Sequence, residues 1–208
     1  MMHGVVQLCP ASQISQGEGA ATHASLPGQS LFPEFISEGE EAALLHLVDH
    51  QPPAWKDSTF NGSHRGKAWG VRMDLAKRTV LEPAVPMPPL LLQMAERMRS
   101  LPLLAHFHPN EANAIDYQRA CRHRLKAHVD DRKMSTEFIV NLSFVGDCTM
   151  KFARSGKSPH EVQVRLPRRS LQVTTKDARY SYTHSIDLHN LHDPRRISIT
   201  FRQSPLRG

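Results

Sequence analysis

Two residues in the middle of the chain, His128 and Asp130, have the side chains and the spacing of a metal-binding pair. On a β-strand, residues i and i+2 point to the same face, so this imidazole and this carboxylate would lie side by side. With a third ligand they would make a set of two histidines and one carboxylate. Such a set occupies one face of a metal ion and leaves three adjacent positions open.

A second same-face pair, His106 and His108, is an alternative, but it stands directly before Pro109, where exposed histidines on a loop are the simpler interpretation. His128 and Asp130 form the single His-x-acid pair among 13 histidines and 20 acidic residues. The open coordination positions of such a set are characteristic of non-heme Fe(II) oxygenases, which makes the rest of the chain informative for that chemistry.

The segment Arg196–Arg202 alternates polar and apolar residues and is typical of a β-strand with two different faces. One face would carry Arg196, Ser198, Thr200 and Arg202, and the other would pack on a core. In solvent, the two guanidinium groups would form a solubilising stripe. Inside a barrel they would be buried cations that need an anionic partner, which a dicarboxylate such as 2-oxoglutarate supplies through bidentate bonds.

Length and composition predict one domain, since 208 residues with 39% hydrophobic content can build a single core. No apolar run approaches the length of a membrane helix. The first basic residue is Lys56, so the chain does not begin with the positively charged region that a secretory or transit peptide requires. The nucleus or the cytoplasm is therefore the expected location. The net charge is +6, and all 26 lysines and arginines follow residue 55. This basic part of the chain favours a polyanionic partner, although a solvated basic surface would have the same composition.

Residues 1–30 are rich in glycine, alanine and serine with little apolar periodicity, which predicts a disordered tail before a domain at 31–208. Ser37 and Glu40 have the spacing of a capping box at the start of a helix that ends before Pro52. A second helix is predicted from Pro88 or Pro89 to about Ser100. We find no sustained heptad pattern and expect a monomer.

The rest of the chain is a series of short β-branched and aromatic segments separated by turns. These predict strands at 136–144, 147–153, 160–166, 169–175, 179–186 and 195–203. The fold class is therefore mainly β, with either a sandwich or a double-stranded β-helix (jelly-roll) core and bracing α-helices on one face. A jelly roll would bring the strand end that carries His128 and Asp130 close to the strand that carries His184.

Taken together, these segments resemble the AlkB family of Fe(II)/2-oxoglutarate-dependent dioxygenases over about residues 32–203. The resemblance is a dispersed pattern that covers the whole catalytic half of the chain. Its parts are Asn113-Ala-Ile-Asp-Tyr117, His128-Val-Asp130, Val140-Asn-Leu-Ser143, Leu166-Pro167, Ser170-Leu-Gln-Val, Ala178-Arg-Tyr180, His184-Ser-Ile186 and Arg196-Ile-Ser-Ile-Thr-Phe-Arg202. The two arginines of the last segment are its most family-specific part.

The resemblance implies that His128, Asp130 and His184 bind Fe(II) and that 2-oxoglutarate and O₂ are the cosubstrates. Arg196 would pair with the distal carboxylate of 2-oxoglutarate.

Tyr117, Ser198 and Arg202 would complete the cosubstrate site, with Arg202 near the metal-chelating end.

The implied reaction is hydroxylation of a C–H bond while 2-oxoglutarate becomes succinate and CO₂. On an N-methyl group the hydroxylated product releases formaldehyde, so the expected function is oxidative demethylation of nucleobases in DNA or RNA. The same chemistry on a protein side chain is the alternative, because the doublet Asp130-Asp131 resembles AlkB relatives proposed to act on proteins as well as DNA. A non-catalytic jelly roll that binds a partner is a third hypothesis.

Four residues are predicted to contact the substrate. Arg65, Lys67 and Trp69 lie close together in a segment that would suit a phosphate-binding lid over a flipped base, or equally an ordinary hairpin. Trp55 and Phe60 are further candidates for stacking. Arg132 stands two residues beyond Asp130, where an acidic group would be expected in a base-reading pocket.

Overall fold

A computed structural model of the chain describes residues 21–74, 79–81, 85–154 and 160–204. Most of the predicted tail, residues 1–20, lies outside this range, but its last ten residues do not fit the prediction. Leu26 is fully buried, and Gln29–Phe32 forms a strand that pairs inside a sheet. The ordered domain therefore begins before Leu31, because a short polar segment is ordered here by pairing with a strand that is distant in sequence.

Fourteen strands and three helices make up the described fold. The strands are β1 (Ala21–Thr22), β2 (Gln29–Phe32), β3 (Lys56–Ser58), β4 (Gly62–Gly70), β5 (Arg72–Asp74), β6 (Thr79–Leu81), β7 (Glu111–Gln118), β8 (Arg124–His128), β9 (Ile139–Val145), β10 (Cys148–Arg154), β11 (His160–Leu166), β12 (Leu171–Thr174), β13 (Thr183–Ile186) and β14 (Arg195–Arg202). The helices are α1 (Glu38–His50), α2 (Pro89–Arg99) and α3 (Lys176–Tyr180).

A larger antiparallel sheet has the order β1-β2-β12-β9-β14-β7-β4, with β3 paired to the outer side of β4. The last strand of the chain, β14, is central in this sheet because β9 and β7 both pair with it along most of its length. The prediction for this segment was 195–203 and is confirmed to within one residue.

A smaller sheet, β8-β13-β10-β11, continues from the larger one through β4. The start of β4 pairs with β8, at Gly62 and Ser63, and its remainder pairs with β7, from Arg65 to Gly70. Gly62 has a φ of +142°, and a Cβ there would lie 2.1 Å from the carbonyl oxygen of Arg124. This close crossing therefore requires glycine. The two sheets face each other across a hydrophobic core that includes Tyr117, Phe152 and Ile186. A separate core lies between the larger sheet and the helices. The predicted jelly roll is confirmed.

Helices α1 and α2 cover the outer face of the larger sheet, as the sequence predicted. The capping box at the start of α1 is present, since the Glu40 amide donates to Ser37 Oγ and the Ser37 amide donates to Glu40 Oε2. Arg97 of α2 donates to both carboxylate oxygens of Glu40, which ties the two helices together. In the part of the chain that the structure describes, no helix is long and apolar enough to span a membrane.

One element differs from the prediction. Residues 179–186 were expected to form a single strand, but Lys176–Tyr180 is a short helix and β13 begins only at Thr183. Tyr180 therefore does not share a strand face with His184. The short strand β13 nevertheless places His184 between β8 and β10, because both of these strands pair with β13.

Candidate metal and cosubstrate site

The two faces of β14 meet different surroundings, which decides between the two interpretations of its arginines. Ile197, Ile199 and Phe201 are fully buried against the helical layer. The polar face lines a cavity of about 80 Å³ between the two sheets, and its residues there are Arg196, Ser198, Thr200 and Arg202. The side chains of Arg196 and Arg202 thus line the interior of the barrel and do not form a solvated stripe.

His128, Asp130 and His184 come together at the open end of this cavity. His128 and His184 are directly opposite in the β8–β13 pair, and their ring centroids are 4.3 Å apart. Asp130 lies 4.0 Å from His128 Nε2 through Oδ1 and 3.9 Å from His184 Nε2 through Oδ2. The three ligand atoms all lie within 4.8 Å of one another. This is the only cluster of its kind among the described residues.

A β-bulge aims His128 into the cavity. His128 pairs with His184 and Leu125 pairs with Ile186, so three steps along β8 match two steps along β13. The extra residue lets both Leu125 and His128 face the interior, which strict alternation would forbid. Within the bulge, His128 Nδ1 lies 2.8 Å from the carbonyl oxygen of Lys126. A proton on Nδ1 satisfies that carbonyl and leaves Nε2 free to bind a metal.

The protonation states of this cluster suit a cation. Burial alone would raise the pKa of Asp130, but the charge of Arg202 and the neighbouring histidines lower it to about 2. Burial lowers the pKa of His184 to about 4, although Asp130 opposes that shift. At neutral pH the carboxylate is therefore ionised and this imidazole is neutral, which are the forms that bind metals.

Arg202 holds Asp130 from behind. Its Nη2 donates to Asp130 Oδ1 at 3.1 Å, and its Nη1 lies 3.5 Å from Glu111 Oε1. Glu111 is itself held, since Ser204 Oγ donates to its Oε2 at 2.8 Å. Arg202 lies at the metal end of the cavity, where the resemblance placed it. Glu111 was missed at the sequence level, because only the β7–β14 register brings it opposite Arg202.

The other end of the cavity is built around Arg196, which is 1% exposed. Its Nη1 donates to Ser198 Oγ at 2.9 Å and its Nη2 to Ser143 Oγ at 3.0 Å. The buried Nε has no hydrogen-bond partner, and no carboxylate of the described residues forms an ion pair with this guanidinium. A buried cation without an anion is costly, so the site fits an incoming carboxylate such as the distal group of 2-oxoglutarate.

Polar side chains line the wall between the two ends. The Tyr117 ring lies 5.9 Å from the guanidinium carbon of Arg196, and burial raises the pKa of its hydroxyl, which stays protonated. Thr200 Oγ1 donates to Asn141 Oδ1 at 3.2 Å, while the buried Asn141 Nδ2 has no partner among the described residues. Ser143 and Asn141 were not named as site residues at the sequence level. Their alternation along β9 is the signal that would have identified them.

A cleft of about 780 Å³ opens beside the triad. It shares with the inner cavity the residues Ile115, Leu125, His128, Asp130 and Arg202. Its outer wall includes Phe60 and Met134. A molecule that enters this cleft therefore reaches the metal-binding side of the triad, while the smaller cavity extends from the triad towards Arg196.

Three of the predicted substrate residues have side chains that are engaged with other parts of the protein. Trp69 is fully buried in the helical core and donates to the carbonyl oxygen of Pro52. Lys67 Nζ donates to the carbonyl oxygens of Val48 and Gln51 at the end of α1, at 2.6 and 2.9 Å.

Arg65 forms an ion pair with the buried Asp116 and contacts the Trp55 ring, with its guanidinium carbon 5.6 Å from the centroid. Arg65 and Trp69 are absent from the lining of the cleft, whereas Lys67 lines it while its ammonium group donates to the end of α1, so a lid function of this segment stays a prediction.

The other residues predicted to contact the substrate differ in whether they line the cleft. Arg132 is exposed and donates to the carbonyl oxygen of Tyr180 at 2.6 Å, and it lines neither cavity, so its predicted contact with the substrate is not supported. Phe60 is 57% exposed and lines the cleft, whereas Trp55 packs against the helical core. His106 and His108 are both exposed, as the loop interpretation expected.

Comparison with known proteins agrees with this geometry. The family model of the 2OG-Fe(II) oxygenase superfamily matches residues 28–202. The chain is 27% identical over 207 residues to the human alpha-ketoglutarate-dependent dioxygenase alkB homolog 4, covering 85% of this chain and 67% of the relative. It is 23% identical over 182 residues to the DNA N6-methyl adenine demethylase of Caenorhabditis elegans, covering 86% of this chain and 60% of the relative.

Among solved structures, an oxidoreductase of the 2OG-Fe(II) oxygenase family from Burkholderia pseudomallei superposes with a TM-score of 0.61. The superposition covers 87% of each chain at 16% identity. At that identity the similarity supports the fold, and the roles of the site residues rest on their geometry.

Proposed function

Because this chain belongs to the 2OG-Fe(II) oxygenase superfamily and is an AlkB-like member of it, we propose that it oxidatively demethylates N-methylated nucleobases in DNA or RNA. It is a dioxygenase that uses Fe(II), 2-oxoglutarate and O₂. The observation that carries the proposal is a pair of adjoining cavities that share His128 and Asp130, so that the histidine–carboxylate–histidine cluster lies between a buried arginine without a carboxylate partner and an open cleft.

Fe(II) supplies, with O₂ and 2-oxoglutarate, the oxidising power that hydroxylates a C–H bond while the cosubstrate becomes succinate and CO₂. His128, Asp130 and His184 would hold the ion on one face. Arg202 keeps the Asp130 carboxylate ionised and oriented, since it donates to Oδ1 at 3.1 Å. Arg196 would receive the distal carboxylate, which satisfies its unpartnered Nε.

The cleft would present the methyl group to the ion. Hydroxylation of an N-methyl carbon gives N–CH₂OH, which breaks at the C–N bond to release formaldehyde and the free N–H. The chain's own contribution to this step is to fix the position of the target group in the cleft and to leave the cosubstrate buried in the inner cavity. A non-catalytic role does not explain why the ligand cluster and the arginine pocket occur together.

An exposed basic segment, residues 119–126 between β7 and His128, supports nucleic acid as the substrate. Between β7 and His128 the chain has no acidic residue, and the cations Arg119, Arg122, Arg124 and Lys126 are all exposed. None of these four forms an ion pair with a described residue. Lys126 precedes the metal-binding His128 by two residues, or roughly 7 Å along the strand. Unpaired cations this close to the triad suit the phosphates of an oligonucleotide.

A methylated protein side chain is the second candidate, and the charges of the cleft favour it. The cleft wall carries the acidic residues Asp57, Glu111 and Asp131 outside the metal cluster. Its one lysine other than the helix-capping Lys67 is Lys56. Such a wall would accept a cationic methylated amine as readily as a nucleobase.

A parallel substrate panel separates the two candidates. The protein, loaded with Fe(II) and 2-oxoglutarate, is given N-methylated DNA and RNA oligonucleotides and N-methylated peptides, and formaldehyde and succinate are measured for each. We expect release of formaldehyde with oligonucleotides, weakened by added salt. Stimulation by peptides alone, without salt-sensitive oligonucleotide binding, would replace the nucleobase proposal with the second candidate.

A further inference from the structure

One face of β4 forms a wall of the cleft. The sequence pattern predicted substrate contacts for the opposite face, which carries Arg65, Lys67 and Trp69. The even-numbered residues His64, Gly66 and Ala68 line the cleft, together with Lys67, whose ammonium group donates to the end of α1. The odd-numbered residues Arg65 and Trp69 are engaged with the helical layer. His64 is thus the one side chain larger than a methyl group among the three even-numbered wall residues.

His64 lies where β4 passes from one sheet to the other, between Ser63, which pairs with β8, and Arg65, which pairs with β7. Its ring is 5.9 Å from that of Tyr117, so it lies beside the inner cavity as well as in the cleft. Its Nδ1 is buried and has no hydrogen-bond partner among the described residues. Burial, together with the charge of His123, lowers the pKa of His64, so the imidazole is neutral at neutral pH.

A neutral imidazole offers one hydrogen-bond donor and one acceptor. A buried polar atom without a partner lowers stability and calls for an explanation, such as a ligand that satisfies it. The proposed demethylation mechanism gives His64 no role, because the metal cluster and the Arg196 pocket are complete without it.

Gly66 gives the wall its shape. A Cβ added at Gly66 would lie 3.7 Å from the His64 ring and 3.8 Å from the Ala114 carbonyl oxygen, both ordinary contacts. The backbone therefore does not require glycine at this position, and an alanine would fit. The effect of glycine is to leave a flat strip of backbone between His64 and Ala68, against which a planar group could lie.

We propose that this face of β4 is the surface on which the target group of the substrate lies, with His64 bonding its polar edge and Gly66 leaving room for its ring. This inference rests on the proposed demethylation of nucleobases and names the residues that select them. A nucleobase is planar and carries a donor and an acceptor on its edge, which matches the neutral imidazole and the flat strip. A flexible methylated amine matches neither feature.

Four variants of the loaded enzyme test the proposal on a methylated oligonucleotide. His64→Phe keeps the ring and removes both nitrogens, whereas His64→Gln keeps a donor and an acceptor. Gly66→Val fills the flat strip. Ser63→Ala, next to His64 on the odd-numbered side of β4, is the matched control.

The loss of one neutral hydrogen bond predicts that KM for the oligonucleotide rises roughly 3- to 10-fold in His64→Phe. We expect Gly66→Val to raise KM at least as much, with His64→Gln and Ser63→Ala close to wild type. In His64→Phe and Gly66→Val, formaldehyde formed per succinate should fall, because a misplaced target uncouples the reaction. Succinate formation without substrate should not change, which shows that the metal and cosubstrate site is intact.

The possible results separate the two proposals. If the wild type releases formaldehyde from oligonucleotides and neither His64→Phe nor Gly66→Val changes KM or coupling, the inference is overturned and the proposed function stands. If the wild type acts on methylated peptides alone, both are overturned. Should His64→Phe fail to fold, the contrast between Gly66→Val and Gly66→Ala decides the question, since alanine adds only ordinary contacts.

Discussion

Arg202 and Asp130 form a partly buried ion pair in which Nη2 donates to Oδ1 at 3.1 Å, and the same guanidinium reaches Glu111. This places a positive charge directly behind the carboxylate that would bind the metal. Groups in this position orient metal ligands, and their removal typically lowers metal affinity. We expect Arg202→Met to weaken Mn(II) binding about 10- to 100-fold, measured by isothermal titration calorimetry without cosubstrate.

The control for this measurement is Arg165→Met, which removes an exposed arginine that pairs with Asp147 on the far side of the smaller sheet. Its Mn(II) affinity should equal that of the wild type. Unchanged affinity in Arg202→Met would show that Asp130 needs no help from Arg202 to bind the ion.

The neighbouring residues Arg195 and Arg196 offer a matched test of the cosubstrate pocket. Arg196 points into the inner cavity, whereas Arg195 bonds Asp49 and Asp116 on the helical side of the sheet. Loss of a charged, bidentate interaction predicts that Arg196→Lys raises KM for 2-oxoglutarate by roughly 10-fold or more. Arg195→Lys should leave this KM within about twofold of wild type. Equal effects in the two variants would contradict the assignment of Arg196.

The basic segment at residues 119–126 predicts a specific salt dependence. If its four cations bind phosphates, the variant with Arg119, Arg122, Arg124 and Lys126 all changed to glutamine should bind a methylated oligonucleotide more weakly. The slope of the logarithm of its binding constant against the logarithm of the salt concentration should decrease in magnitude by up to about 4. This is roughly one for each phosphate that no longer has a cationic partner. Fluorescence anisotropy at several salt concentrations measures both quantities.

The comparison variant for the basic segment removes cations that already have protein partners. Changing Lys151, Arg165 and Arg168 to glutamine removes three positive charges instead of four, but each of these residues forms an ion pair. We expect a smaller change of the salt slope for each charge removed. If both variants lose the same slope for each charge removed, the attraction reflects overall charge and the basic segment is not a dedicated surface for nucleic acid.

The Glu40–Arg97 pair predicts how stability depends on pH. Burial raises the pKa of Glu40, but the hydrogen bonds from Arg97 and Ser37 and the charge of Arg97 outweigh it, so the pKa is lowered from 4.5. The stabilisation is therefore present above pH 4.5 and is lost as the pH falls through the lowered pKa. Glu40→Gln should cost about 3 to 5 kcal/mol at pH 7 and flatten this pH dependence.

Urea unfolding at a series of pH values measures both effects. Glu96→Gln is the control, because Glu96 forms an exposed pair with Arg99 on the same helix and should cost less than about 1 kcal/mol. Similar losses in the two variants would mean that burial adds nothing to the Glu40–Arg97 pair.

Features that depend on neighbouring residues could be predicted from the sequence. The capping box of Ser37 and Glu40 and the two-faced strand Arg196–Arg202 are local patterns, and both are present. The alternation of β14 also limited Arg196 and Arg202 to two possible positions, on a solvated surface or inside a barrel. The choice between these cases needed the second sheet, because only pairing of strands distant in sequence closes the cavity.

The side chains of Trp69 and Lys67 extend to the helical layer for a physical reason that the sequence alone does not show. Alternation shows that odd-numbered and even-numbered residues of β4 face opposite ways, but it does not show which side faces the cleft. That choice is fixed by α1, whose end accepts hydrogen bonds from Lys67. The bulge before His128 is equally invisible in sequence, because it exists only in the register of β8 against β13.

The central claim is that the His128–Asp130–His184 cluster oxidises an N-methyl group on a nucleobase. The most direct measurement is formaldehyde and succinate released together from an N-methylated oligonucleotide by the Fe(II)-loaded protein. We predict equal amounts of the two products for the wild type and no formaldehyde for His128→Ala. Succinate without formaldehyde from every methylated oligonucleotide, or formaldehyde that persists in His128→Ala, would contradict the claim.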